Sequence, residues 1–312
     1  MKNVSGSLRT LSFGLTAIAL CALWVLSTAS VVGQTAMDKA WKPVEDALGR
    51  SGKMQPSDVL KFSMPRKDMQ VTVAGTQVKP GLALGSWAAF KKMGNEAMVM
   101  GDLVLAENEV EPVMTKLQQE GIEQTALHNH LLGESPRVMY MHIQGQGDAV
   151  KLAKALHDAL ALTKTPAETK SAGTPEQPKL DIDTTKIDQA FGKKGKNDNG
   201  IYKFEFPRAE TITDHGIQVP PSMGLTTTIN FEPTGSGKSA ITGDFVLLGK
   251  EVNPVIRALR ENGIGVTAVH THMLTESPPL FFLHYWANAD AVKLAQGLRA
   301  ALDKTNSAKG KP

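Results

Sequence analysis

One offset organises this chain. Gly101-Asp102-Leu103-Val104-Leu105 returns 142 residues later as Gly243-Asp244-Phe245-Val246-Leu247, and His128-Asn129-His130 returns as His270-Thr271-His272. Glu134-Ser135-Pro136 becomes Glu276-Ser277-Pro278, His142 becomes His284, and Asp148 to Ala153 becomes Asp290 to Ala295, all without a gap. Upstream, Pro65-Arg66 matches Pro207-Arg208. A chain that repeats itself over this length is two copies of one unit, and any architecture assigned to it has to be satisfied twice.

Each copy shows the same order of elements. A short helix, Met37 to Leu48, has a weaker counterpart in Thr185 to Phe191. A hairpin follows, running from Leu82 to Lys91, turning at Met93-Gly94-Asn95 and returning over Ala97 to Ala106; the second copy turns over Pro233 to Gly237. Val110, Val113, Met114 and Leu117 then share one face of a helix that Gly121 ends. Glu123 to Leu132 and Arg137 to Gln144 read as strands joined by a tight turn, and Asp148 stands where an N-cap belongs, before a helix burying Val150, Ala153, Leu156 and Leu160. This order predicts an α+β fold in two tandem copies, each a largely antiparallel sheet with helices on one face, around a ferredoxin-like core. The expected boundaries are repeat domains at 37–162 and 185–304, a Thr/Pro/Lys-rich linker at 163–184 and a disordered tail at 305–312.

The first residues are read as targeting. Lys2 and Arg9 form a basic n-region, Leu11 to Leu26 is uncharged and mostly apolar, and small residues follow, which together predict a signal peptide over 1–33. Cleavage implies a periplasmic or secreted protein with no transmembrane segment. It also removes Cys21, the only cysteine among 312 residues, and with it any disulfide, thiol nucleophile or Cys-type zinc site. A net charge of +3 without a basic stripe excludes nucleic acid as a partner.

Six of the eight histidines belong to the repeat; His157 and His215 do not. Residues two apart on a strand face the same side, so His128 and His130 point together. A hairpin folded about Ser135 would set Tyr140 opposite His130 and His142 opposite His128, with opposed Cβ atoms about 5 Å apart. His270, His272 and His284 would do the same beside Phe282. Glu134 and Glu276 lie at the turn, within reach of the cluster, and Asp102 and Asp244 lie on the strand before the amphipathic helix, as a further ligand or an acceptor for a histidine N–H. Three imidazoles and a carboxylate suit a divalent metal, Zn²⁺ first. Two decoys fall away. Gly235-Ser236-Gly237-Lys238-Ser239 ends like a phosphate-binding loop but has Glu232 where that motif needs glycine. Met98, Met100, Met139 and Met141 suggest soft copper ligands, but their counterparts Ala240, Thr242, Phe281 and Leu283 are not ligands.

The strings Gly101 to Leu105, Glu109 to Val113 and Ala126 to Pro136, with the following His142, resemble the LppY/LpqO family of bacterial exported proteins. The resemblance implies export and a tandem domain of unknown function, and brings no activity with it. Members are often lipoproteins; Leu20 before Cys21 departs from that pattern, so no lipid is expected. The leading expectation is an exported protein with one metal site per repeat, at His128, His130, His142 and Glu134, and at His270, His272, His284 and Glu276. An enzyme that activates water with Glu134 or Glu276 as base remains an alternative. So does a metal-free module that takes an unknown small molecule of the cell envelope near Phe282 and Trp286.

Overall fold

The computed structural model describes Met1, residues 40–167 and residues 177–307. The expected signal peptide beyond Met1, the middle of the linker and residues 308–312 lie outside the described residues. Contacts divide the chain into residues 1–43 and 44–312, and the second unit contains both repeats from Val44 onward.

The first repeat runs through α1 (residues 40–48), β1 (Lys53–Gln55), β2 (Val59–Pro65), β3 (Val71–Val73), β4 (Thr76–Val78), α2 (Pro80–Ala83), β5 (Gly85–Met93), β6 (Glu96–Ala106), α3 (Glu107–Gln119), β7 (Glu123–His128), β8 (Glu134–Ser135), β9 (Val138–Gly147) and α4 (Ala149–Leu160). The second runs through α5 (Thr184–Phe191), β10 (Lys196–Asp198), β11 (Ile201–Pro207), β12 (Thr213–Asp214), β13 (Ile217–Gln218), β14 (Thr226–Gly235), β15 (Lys238–Leu248), α6 (Gly249–Glu261), β16 (Gly265–His270), β17 (Leu280–Asp290) and α7 (Ala291–Leu302). Each copy forms one antiparallel six-stranded sheet, in the orders β1-β2-β5-β6-β9-β7 and β10-β11-β14-β15-β17-β16. The architecture is α+β with antiparallel sheets, as expected. Asp148 and Asp290 cap α4 and α7 by accepting the amides of Lys151 and Lys293. The Gly-rich segment before Ser239 is the β14–β15 turn. Among the described residues no helix is long and apolar enough to cross a membrane.

Alternation along the strands decides what each sheet face meets. In the second copy Phe245, Leu247, Leu283 and Tyr285 pack with Val255, Leu259, Leu294 and Leu298 of the helices. Their neighbours Val246, Leu280 and Phe282 point the other way, into a core that also contains Val59, Ala89, Met98 and Met100 of the first copy. Ile212 and Val219, which flank β12 and β13, join that core. The reciprocal holds: Val71, Val73 and Val78 of the β3–β4 hairpin, with Val104, Val138 and Tyr140, pack against Ile201 and Ala240 of the second copy. Each repeat thus lends a β-hairpin region to a core shared with its partner, and Met98 and Met100 are accounted for by that core.

The residues after each last helix are tied down by one buried glutamate. Glu109 accepts the amides of Ala106 and Lys164, and Glu251 those of Leu248 and Asn306. Thr305 and Ser307 are buried, and Ser307 bridges to Arg208, so the tail expected to fray from 305 is packed at least to Ser307.

Candidate metal centre

The β7–β9 pairing differs from the expected hairpin. His128 faces Tyr140 and Ala126 faces His142, with a bulge between Gln124 and Ala126; the second copy pairs His270 with Phe282 and Ala268 with His284. The expected tight turn about Ser135 is absent because β7 ends at His128. Residues 129–137 then form an open loop whose Glu134 and Ser135 pair with β3 as β8. The register moves by two residues, an even number, so every side chain keeps its face. His130 leaves the strand and stacks on Tyr140 with ring centroids 3.4 Å apart, as His272 does on Phe282 at 3.3 Å.

The larger departure is that the two clusters are one. His128 stacks on His270 at 3.5 Å, His130 on His284 at 3.7 Å and His142 on His272 at 3.7 Å. Exchanging the repeats maps the first pair onto itself and the other two onto each other, which is an internal two-fold. Two reciprocal hydrogen bonds fix the loops: Thr125 Oγ1 donates to the His272 carbonyl and Thr267 Oγ1 to the His130 carbonyl, both at 2.6 Å. The histidine sets of the two repeats, expected as separate clusters, therefore adjoin across the repeat boundary. The face carrying the histidines is not covered by its own helices, and the other copy covers it.

Asp102 pairs with His142 across β6–β9, and Asp244 with His284 across β15–β17. Asp102 Oδ2 lies 3.8 Å from His130 Nε2 and 4.0 Å from His142 Nε2; Asp244 Oδ2 lies 3.7 Å from His272 Nε2. The two glutamates are placed elsewhere. Glu134 Oε1 accepts Asn129 Nδ2 at 3.0 Å, and Glu276 Oε1 accepts the Leu280 amide at 2.8 Å, so both carboxylates brace their loops and neither joins a ligand group. The groups whose donor atoms lie within 4.8 Å of one another are Asp102-His130-His142, Asp244-His272-His284, His128-His130-His270-His284 and His142-His270-His272.

Nδ1 of His128, His270 and His284 contacts the carbonyl oxygens of Asn129, Thr271 and Gly243 at 3.2, 3.1 and 2.9 Å. A carbonyl only accepts, so these bonds place the proton on Nδ1 and leave a lone pair on Nε2, the usual arrangement behind a metal-ligating imidazole. Burial holds the imidazoles neutral: His128 falls to about 4 and His270 to about 3, and His130, His142, His272 and His284 lie well below 6.5. Burial pushes Asp102 up to about 8, and Asp244 well above its usual value, the latter also by the charge of Asp102.

These shifts fix the acid response of the metal-free chain. Histidines with depressed values bind protons mainly after unfolding, so they remove stability as pH falls below about 6.5. The two raised aspartates act oppositely, removing stability as pH rises from about 3.9 toward 8. Six groups outweigh two below pH 6.5, and only the aspartates titrate above it. The melting temperature of metal-stripped protein should peak near neutrality and fall markedly by pH 5; a flat profile between 7 and 5 would contradict this electrostatic picture.

Residues 42–162 and 185–304 each match the sequence profile of one family, described as Domain of Unknown Function (DUF1259). Among curated proteins nothing matches the chain. Two solved structures align over much of it: the trimeric bacterial microcompartment shell protein PduB, at 12% identity over 81% of this chain and 90% of that one, TM-score 0.20, and EtuB from Clostridium kluyveri, at 8% identity over 81% and 88%, TM-score 0.22. At those scores neither likeness carries an argument.

Proposed function

We propose that this chain, which belongs to the DUF1259 family, binds a divalent transition metal at a centre shared by its two repeats. One observation carries the reading. Nine buried side-chain polar atoms among the described residues have no hydrogen-bond partner, and eight of them are Nε2 of the six repeat histidines and Oδ1 of Asp102 and Asp244. Buried polar groups are ordinarily satisfied, and an orphaned set converging from two repeats fits a ligand shell. Neutral imidazoles with carboxylates favour Zn²⁺, whose nitrogen ligands sit at about 2.0–2.1 Å. Glu134 and Glu276 take no part in this reading as ligands or bases, because their hydrogen bonds commit them to their loops.

The proposal extends to export, which rests on the n-region and apolar run of residues 1–33. It also places the chain with LppY/LpqO-like proteins on the strings quoted above. The order β5-β6-β9-β7 supports a ferredoxin-like core in which the strand beside β6 precedes it in the chain.

Elemental analysis of untagged protein is the test. Stoichiometric zinc or a similar ion is expected. His142→Ala and His284→Ala should each lower it, while His157→Ala, whose ring contacts the Leu48 carbonyl instead, should leave it unchanged. Absence of a bound ion, with equal thermal destabilisation of the variants with and without added metal, would overturn the reading.

A further inference from the structure

We infer that the shared centre holds two metal ions, one in each half, and not a single ion on the internal two-fold. The inference rests on the metal reading above and goes beyond it in number and ligand assignment. Asp102, His130 and His142 bring their donor atoms within 4.8 Å of one another, and Asp244, His272 and His284 repeat the arrangement. The two triads are related residue for residue by the exchange of repeats, with His284 nearest Asp244 through Nδ1 at 3.9 Å where His142 is nearest Asp102 through Nε2 at 4.0 Å.

Counting donors separates the possibilities. Eight buried atoms lack partners, six imidazole nitrogens and two carboxylate oxygens. A four-coordinate ion, the usual state of zinc with such ligands, satisfies four of them and leaves four buried without a partner. A single octahedral ion bound by all six imidazoles leaves Asp102 Oδ1 and Asp244 Oδ1 orphaned, although these carboxylates lie directly across the ladder from His142 and His284. Two four-coordinate ions take up all six imidazole nitrogens and bring in both carboxylates, whose Oδ2 atoms lie 3.8 Å from His130 Nε2 and 3.7 Å from His272 Nε2.

The stacked pair on the two-fold completes the assignment. His128 and His270 belong to neither triad, yet both appear in the groups that cross the repeat boundary. Their Nδ1 atoms are committed to the carbonyls of Asn129 and Thr271, so each has only Nε2 to offer and serves one ion. One goes to each triad as its fourth ligand. Sites of this kind hold their ions about 3.5–4 Å apart, and the 3.5 Å stacking of His128 on His270 shows how close the two halves come.

The test is a Co²⁺ titration of the metal-stripped, full-length mature protein, followed by visible absorbance and closed by elemental analysis after gel filtration. Saturation at two equivalents per chain is expected. Asp102→Asn, which keeps the shape of the side chain, should reduce the capacity to one, with circular dichroism confirming an unchanged fold. Saturation of the parent protein at one equivalent overturns the two-ion centre and leaves the metal reading standing; no uptake overturns both. If Asp102→Asn still takes two equivalents, the ligand assignment is overturned.

Discussion

Arg66→Met is expected to destabilise the protein by about 3–5 kcal/mol, the range found when one partner of a buried ion pair is removed. Arg66 is 1% exposed, and its guanidinium donates to the Val104 carbonyl at 2.6 Å, to Glu109 at 2.7 Å and to Asp68 at 2.8 Å. Methionine fills a similar volume and returns none of these bonds. Glu109 would then be left as a buried carboxylate holding only the amides of Ala106 and Lys164, while Asp68, more exposed, can turn to water. The cost therefore comes mostly from Glu109. The double variant Arg66→Met/Glu109→Gln should recover part of it, because the remaining group is neutral. Urea unfolding followed by fluorescence checks both statements; a single variant within 1 kcal/mol of the parent, well under the range for a broken buried pair, would mean that the pair is not what holds α3 against the sheet. Arg208 with Glu210 and Glu251 repeats the arrangement in the second copy and should respond in the same way.

Much of this molecule could be read from residues alone. The 142-residue offset separated six histidines from two, and strand parity put each set on one face. Asp148 and Asp290 announced helix caps because a short acceptor stood before an apolar helical face. The register of β7 on β9 could not be read, because loop length decides it and the pull of β3 on Glu134 and Ser135 is tertiary. Proximity along the chain favoured Glu134 and Glu276, whereas direct pairing across the ladder sets Asp102 and Asp244 opposite His142 and His284.

The meeting of the two clusters had a signal that sequence reasoning passed over. Residues two apart on a strand share a face, so Ala126 and Val138 lie with the histidines, and an apolar face that its own helices do not cover has to be buried by something. A second copy with the same face was present in the same chain. The structure adds the means: stacked ring pairs, the reciprocal Thr125 and Thr267 hydrogen bonds, and hairpin regions lent by each repeat to a shared core.

The central claim is that the repeats are halves of one centre. It is tested most directly by cutting the folded protein once, at a specific protease site introduced within residues 163–184, and following both mass and metal. The shared cores unite Phe282, Val246 and Met273 with Val59, Met98 and Met100, and Tyr140 and Val104 with Ile201 and Ala240. Apolar burial contributes roughly 25 cal/mol per Å², and none of these contacts depends on an intact linker. Size exclusion of the cleaved sample should give one peak containing both fragments, with its metal content unchanged. Fragments separated in denaturant and refolded alone should each fail to hold stoichiometric metal, since neither half retains the pairs His128–His270, His130–His284 and His142–His272. Fragments that part on cleavage and each keep bound metal would contradict the account.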